Sequence, residues 1–233
     1  MKISEQSVEL IDYMGDDLSV VNAARVSFNK QSKFEYEKDN HDGHGEPKLS
    51  ERDTKLINYL AKHNHWTPFA HAFASFRIKA PIFVARQLVK HQVGLAWNEV
   101  SRRYVDDEPE FYWPKEWRGK PENAKQGSDG ILPMMEEPDG FDNAMWFEGI
   151  IIDCLNWYND QIKRGMAPEQ ARMVLPQNTM TEWIWSGSLA AFARVVKLRT
   201  DPHAQRETQE VAKQIGGACA EIWPVSFKAL LEN

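Results

Sequence analysis

Residues 71–80, HAFASFRIKA, alternate between apolar and polar side chains, and residues 81–92, PIFVARQLVKHQ, switch at once to helical spacing. A period of two requires a strand and a period near 3.6 a helix, and Pro81 suits the first helical position, where a missing amide costs nothing. Residues 8–14 also alternate. After Gly15, Asp16 and Asp17, the run LSVVNAARVSF spaces Leu18, Val21, Ala24 and Val26 as a helix does. Ser50, with Asp53 three residues on, has the form of a capping box opening a helix with Leu56, Ile57 and Leu60 on one face. Further helices are predicted over 143–164, closed by Gly165, and over 168–174, 189–198 and 205–222. Strands and helices mix without regular alternation, which predicts an α+β fold with helices packed on an antiparallel sheet. The chain of 233 residues suffices for one large core, so we expect a single domain over 1–233. Two stretches, near 29–50 and 115–142, are polar and turn-rich without apolar periodicity and are expected to be surface insertions.

The formal net charge of −6 argues against a protein that tracks a nucleic acid polymer, since such binding needs a broad basic face. A small anion is the better match. No stretch approaches the roughly 18 apolar residues of a membrane span, and the first residues lack a signal peptide's apolar run. A cytoplasmic protein is therefore expected. Cys154 and Cys219 are the only cysteines, both within apolar helical patterns that predict buried thiols.

Against that acidic background, residues 90–104, KHQVGLAWNEVSRRY, gather Lys90, His91, Arg102 and Arg103 in what reads as a buried helix running out into a turn. Arg102 and Arg103 offer planar forks suited to phosphate, and Ser101 adds a hydroxyl. Glu99 repels an anion unless it points at a donor, so its expected role is orientation. The alternative is a helix end with solvated cations. No G-x-S-x-G elbow surrounds Ser101 to make it a nucleophile. A second polar cluster, KLRTDPHAQRETQ at 197–209, offers Arg199, His203 and Gln205, and Arg172 in ARMVLPQN adds a cation; the alternative for each arginine is a helix C-terminal cap. Trp97, between the two cationic clusters, either packs in the core or faces a flat heterocycle. His63, His65, His71 and His91 lack H-E-x-x-H spacing, and no metal site is expected from them. No G-x-G-x-x-G follows a strand, so a dinucleotide would have to be held without a Rossmann loop.

These clusters together resemble the flavin-dependent thymidylate synthases, whose signature is R-H-R-x-x-S-x-N-E-x-S-x-R-Y. NEVSRRY, residues 98–104, matches the second half, and similar blocks recur in DLSVVNAARVSF (17–28), TPFAH (67–71), KAPIFVARQ (79–87), ARMVLP (171–176) and LRTDPHAQ (198–205). The first half departs from the pattern: Lys90, His91 and Gln92 stand in place of R-H-R, with one extra residue before the N-E pair, and Ala70 replaces an acidic residue. The resemblance implies a homotetramer with active sites at subunit junctions that converts dUMP to dTMP. FAD reduced by NADPH would supply hydride and methylenetetrahydrofolate the one-carbon unit. Gln87, Lys90, Glu99, Ser101, Arg102, Arg103, Arg172 and Arg199 occupy positions implied for dUMP, with Arg199 catalytic beside the uracil. Ser27, Thr67, Lys90, His91, Gln92, Val93, Glu99, Ser188, Arg194 and His203 occupy positions implied for FAD, several reaching it from neighbouring subunits. Two other readings remain: a homologue that binds nucleotide or flavin without synthase activity, and a non-enzymatic assembly module whose cations form interface salt bridges.

Overall fold

The computed structural model describes residues 1–36, 47–122, 127–132 and 143–233. The first part of the chain contains β1 (Lys2–Ile3), β2 (Ser7–Met14), α1 (Asp17–Arg25), β3 (Glu35–Tyr36), β4 (Pro47–Lys48), α2 (Glu51–Lys62), β5 (Phe73–Pro81), α3 (Ile82–Leu88) and β6 (Leu95–Glu99). It continues with β7 (Glu110–Phe111), β8 (Arg118–Gly119), β9 (Asp129–Ile131), α4 (Asn143–Lys163), α5 (Pro168–Ala171), β10 (Met180–Ser188), α6 (Leu189–Arg199), α7 (Arg206–Ile222) and α8 (Pro224–Glu232). The fold is α+β, as expected, around a four-stranded antiparallel sheet in the order β2-β5-β10-β6.

Alternation along β5 decides which face of the sheet is covered. Ala74, Phe76, Ile78 and Ala80 are buried with Trp183 and Trp185 of β10, whereas Ser75, Arg77 and Lys79 point to the other face. There Ser75 meets Ser186 at 2.8 Å, and Arg77 pairs with Glu182 at 2.5 Å. One apolar and one polar face is the usual arrangement of an antiparallel sheet. Helices α1, α2, α6, α7 and α8 contribute to the same apolar core, with Val20, Ile57, Phe192, Ile215 and Phe227 buried in it.

Helix ends follow local chemistry. Asp16 and Ser19 form a reciprocal capping box at α1. At α2 only half of the expected box forms: the Ser50 hydroxyl accepts from the Asp53 amide, while the Asp53 carboxylate receives the Ser50 hydroxyl and the Arg25 guanidinium. Asp17 is buried and accepts from the Val225 and Ser226 amides at 2.9 and 2.8 Å, so its carboxylate caps α8 from across the core. Gly165, at φ 86°, closes α4 with the paired bonds of a Schellman turn.

Several expectations need correction. Residues 95–99 form an edge strand, not the tail of a helix, because α3 stops at Leu88 and Gly94 turns the chain at φ 76°. Pro81 ends β5 and flanks α3, which starts one residue later. Cys219 is fully buried, and burial pushes its thiol up to about 12, but Cys154 is only partly covered. The insertion at 29–50 is pinned at its ends: Ser32 exchanges hydrogen bonds with Asn22, and Leu49 is buried; residues 37–46 lie outside the described residues. The insertion at 115–142 contains the β8–β9 pair, which Arg118 ties to Glu207 of α7 at 2.7 Å; residues 123–126 and 133–142 also lie outside the described residues. Among the described residues, no helix is long and apolar enough to cross a membrane.

Candidate active site

Strand β6 separates two groups of the expected residues. It is the edge strand beside β10, and at roughly 3.3 Å per step its first and last Cα atoms lie about 13 Å apart. Glu99 closes one end, and Arg102 and Arg103 follow it. His91 and Gln92 precede the other.

At the first end, Glu99, Arg102 and Arg172 line a cavity of about 320 Å³ with Lys79, Thr181 and Glu182. The Thr181 hydroxyl donates to Glu99 at 2.7 Å and the Trp97 indole N–H at 3.2 Å, so the carboxylate has the donors that its place beside cations requires. Trp97 itself stacks on Trp183, with ring centroids 4.3 Å apart and planes 18° apart, and its packing role accounts for its position. Arg102 donates through one terminal guanidinium nitrogen to the Asp107 carbonyl at 2.9 Å, which fixes one edge of the guanidinium. Arg172 is exposed. Lys79 and Lys2 both bond Glu110, and the two ammonium groups hold the Glu110 carboxyl down at about 2. Lys79 shares that one carboxylate with Lys2, and the Asp107 carboxylate stands 3.8 Å from Arg102, so cations and carboxylates are mixed in the cavity lining. Ser101 and Arg103 lie beside the cavity: the Arg103 Nε–H donates to the Ser101 hydroxyl at 3.1 Å, and its guanidinium lies over the Tyr104 ring.

At the second end, Arg199 leaves the last turn of α6 and donates through Nε to His91 Nε2 at 2.9 Å, and through one terminal nitrogen to the Gln87 carbonyl at 3.4 Å. The Gln87 amide is occupied in turn, donating to Gln205 and accepting from the Thr208 hydroxyl. Burial first, then the Arg199 and Arg194 charges, hold the His91 imidazole below its ordinary value, so it is neutral and able to accept at pH 7. Arg194 donates to the Val93 carbonyl at 2.7 Å and braces the turn that contains Gly94. Ser188 is buried and caps α6 by accepting from the Ala191 amide.

The remaining residues are solvent-exposed, and Lys90, Gln92 and Val93 adjoin His91 at the second end. Ser27 and Thr67 are exposed on short 3₁₀ turns, and Lys90, Gln92 and Val93 are exposed. His203 is exposed and paired with Asp201 at 3.0 Å. Thr181 and Thr208, which anchor Glu99 and Gln87, carry no signal in the sequence; a strand over 180–188 paired with β6 would place Thr181 two residues from Trp183, the residue opposite Glu99. Among the described residues, no three His, Cys, Asp or Glu side chains group as metal ligands do.

The expected cations thus gather near the two ends of an edge strand, one group beside a cavity and the other around a tethered guanidinium. The model of the thymidylate synthase complementing protein family, Thy1, matches residues 9–225. The chain belongs to this family, that of the flavin-dependent thymidylate synthases. It is 35% identical over 225 residues to the flavin-dependent thymidylate synthase of Thermosipho africanus, covering 97% of this chain and 90% of that one. A Thermus thermophilus enzyme of the same name is 35% identical over 226 residues, covering 97% and 76%. Among solved structures, the UMP/dUMP methylase PolB from Streptomyces cacaoi, bound with 5-Br dUMP, superimposes with a TM-score of 0.80 at 30% identity, covering 100% of this chain and 97% of that one.

Proposed function

We propose that the protein methylates dUMP reductively to dTMP, with methylenetetrahydrofolate as one-carbon donor and FAD, reduced by NADPH, as hydride source. The observation that carries this reading is the state of Arg199. Its side edge is committed to His91 and Gln87, which leaves the terminal fork of the guanidinium free. Making the pyrimidine C5 nucleophilic toward the methylene group means building negative charge on the N3 and O4 side of the ring, and a fork fixed in advance stabilises that charge without reorganising. Arg102, Arg103 and Arg172 are suited to the phosphate, with Ser101 as a further donor and Glu99, held by Thr181 and Trp97, as an orienting acceptor. Gln87 and Lys90 complete the proposed dUMP set.

The donor chemistry also fits a flavin dinucleotide. A pyrophosphate accepts and never donates, and Lys90, Arg194, Ser27, Thr67 and Gln92 present cationic, hydroxyl and amide donors at the surface. With His91, Val93, Glu99, Ser188 and His203, these residues would hold FAD, which when reduced supplies the hydride that completes the methyl group. The C5 proton leaves and tetrahydrofolate is released.

None of Gln87, His91 and Arg199 lines the cavity that contains Arg102 and Arg172. This separation supports a site shared between copies in a homotetramer, each copy giving one end of β6 to a different site. Mixing Arg199→Ala with Arg172→Ala chains by co-expression is expected to restore about a quarter of wild-type activity, the fraction of sites drawing both intact groups at random. No recovery in mixed oligomers would place both groups in one copy's site.

A cysteine nucleophile is not required in this scheme. The Cys219 thiol, pushed up to about 12, holds almost no thiolate at neutral pH. Replacing Cys154 and Cys219 with alanine should leave kcat within about threefold of wild type, since neither group takes part in a step. Complete loss of turnover in folded double mutant would reject this reading.

A further inference from the structure

We propose that His91 is a positioning residue for Arg199: its neutral imidazole fixes the plane of the guanidinium, and protonation of His91 releases it. The proposal rests on the role given above to Arg199. Of the two tethers on that side chain, the bond to His91 Nε2 at 2.9 Å is the stronger; the one to the Gln87 carbonyl, at 3.4 Å, is too long to fix an orientation alone. Because Nε2 accepts, the ring proton must sit on Nδ1. The His91 backbone is held where α3 ends, its amide donating to the Leu88 carbonyl.

A neutral acceptor has a consequence that a carboxylate would not. Aspartate or glutamate in the same place would orient Arg199 equally well but would neutralise it, whereas imidazole leaves the full positive charge for the pyrimidine. Among the described residues, the charged groups acting on His91 are Arg199 and Arg194, both from α6, and no carboxylate assists its protonation. Once a second proton arrives, donors stand on both sides of the contact and like charges face each other. The guanidinium must then turn away, and the loss falls on the acid side of the ordinary imidazole value because burial and both arginines oppose protonation.

The test uses FAD-saturated protein and three chains: wild type, His91→Gln, whose amide oxygen can accept but does not titrate in this range, and His91→Leu, which cannot accept. Flavin occupancy is verified by absorbance in each. The first readout is the 15N resonance of Arg199 Nε, expected to shift in wild type as the pH is lowered and to lie at its untethered position in His91→Leu at every pH. The second is the dUMP-dependent rate of each chain relative to its own rate at pH 8. Wild type should lose activity at about tenfold per pH unit once His91 titrates, while His91→Gln should stay within about threefold across the same range. His91→Leu should lower kcat about 30-fold, the effect of losing one charge-assisted hydrogen bond, with the KM for dUMP changed less than about threefold. An acid limb in His91→Gln equal to that of wild type, or an Arg199 resonance indifferent to His91→Leu, would overturn the proposal. If wild type fails to turn over dUMP at any pH, the assigned function falls, and the resonance alone still decides the tether.

Discussion

Arg199→Ala is expected to lower turnover of dUMP by about a thousandfold, the scale seen when a preorganised donor to developing negative charge is removed. The substitution takes away the free fork and also leaves His91 Nε2 without its donor. It should spare the fold, because Arg199 ends α6 at the surface of the site and no core packing depends on it. Arg199→Lys keeps the charge but can satisfy neither His91 nor a planar ligand edge with a fork, and it should recover no more than about tenfold of the loss. Steady-state rates with flavin binding as a control separate these effects: a low kcat with bound flavin supports the assigned role, and wild-type turnover in folded Arg199→Ala removes it.

Gly187→Ala should produce the largest loss of stability from a single methyl group. Gly187 lies opposite Leu95 in the β10–β6 ladder, and a Cβ there would lie 2.7 Å from the Gly94 carbonyl and collide with the Leu95 side chain. A backbone oxygen cannot step aside as a side chain can. Gly94 is itself at positive φ, and its carbonyl accepts from the Ser188 amide at 3.2 Å. The added methyl must therefore push β6 off the sheet edge, at a cost of about 3 kcal/mol. For a chain of this size that corresponds to a fall in Tm of roughly 6–12 °C. The displaced turn also contains the Val93 carbonyl, the anchor of Arg194, so flavin affinity should weaken with it. Gly149→Ala is the control: nothing lies within 4 Å of its Cβ position on α4, and helix propensity alone should stabilise by up to about 1 kcal/mol. Equal melting temperatures for Gly187→Ala and wild type would mean that β6 is not held as described.

Much of the fold was legible in local patterns. Strict alternation gave β5, helical spacing gave α1, α2, α4, α6 and α7, and the absence of regular strand-helix alternation gave the α+β class. The central strand β10 was not legible. Its buried Trp183 and Trp185 alternate with Glu182, Ile184 and Ser186, but Ile184 breaks the polar side of the pattern, and tertiary pairing with β5 and β6 decides the conformation. Without β10, residues 95–99 had no partner to reveal them as a strand, and their apolar residues read as the continuation of α3. α8 escaped for a related reason: its cap is the carboxylate of Asp17, more than two hundred residues upstream. At the site, residue types were visible but their division was not. Arginines 102, 172 and 199 announced an anion in the sequence, yet their separation to opposite ends of β6 depends on a strand that only the sheet defines. The His91–Arg199 bond likewise joins the ends of two helices that no spacing rule connects.

Anaerobic single turnover tests the chemistry. The protein is loaded with FAD, the flavin is reduced, and dUMP and methylenetetrahydrofolate are added while flavin absorbance and dTMP are followed together. Reoxidation of the flavin in step with stoichiometric dTMP is the expected result. Flavin that remains reduced, with no dTMP formed, would contradict the proposed reaction and leave a protein that keeps the fold and the arginines without the turnover.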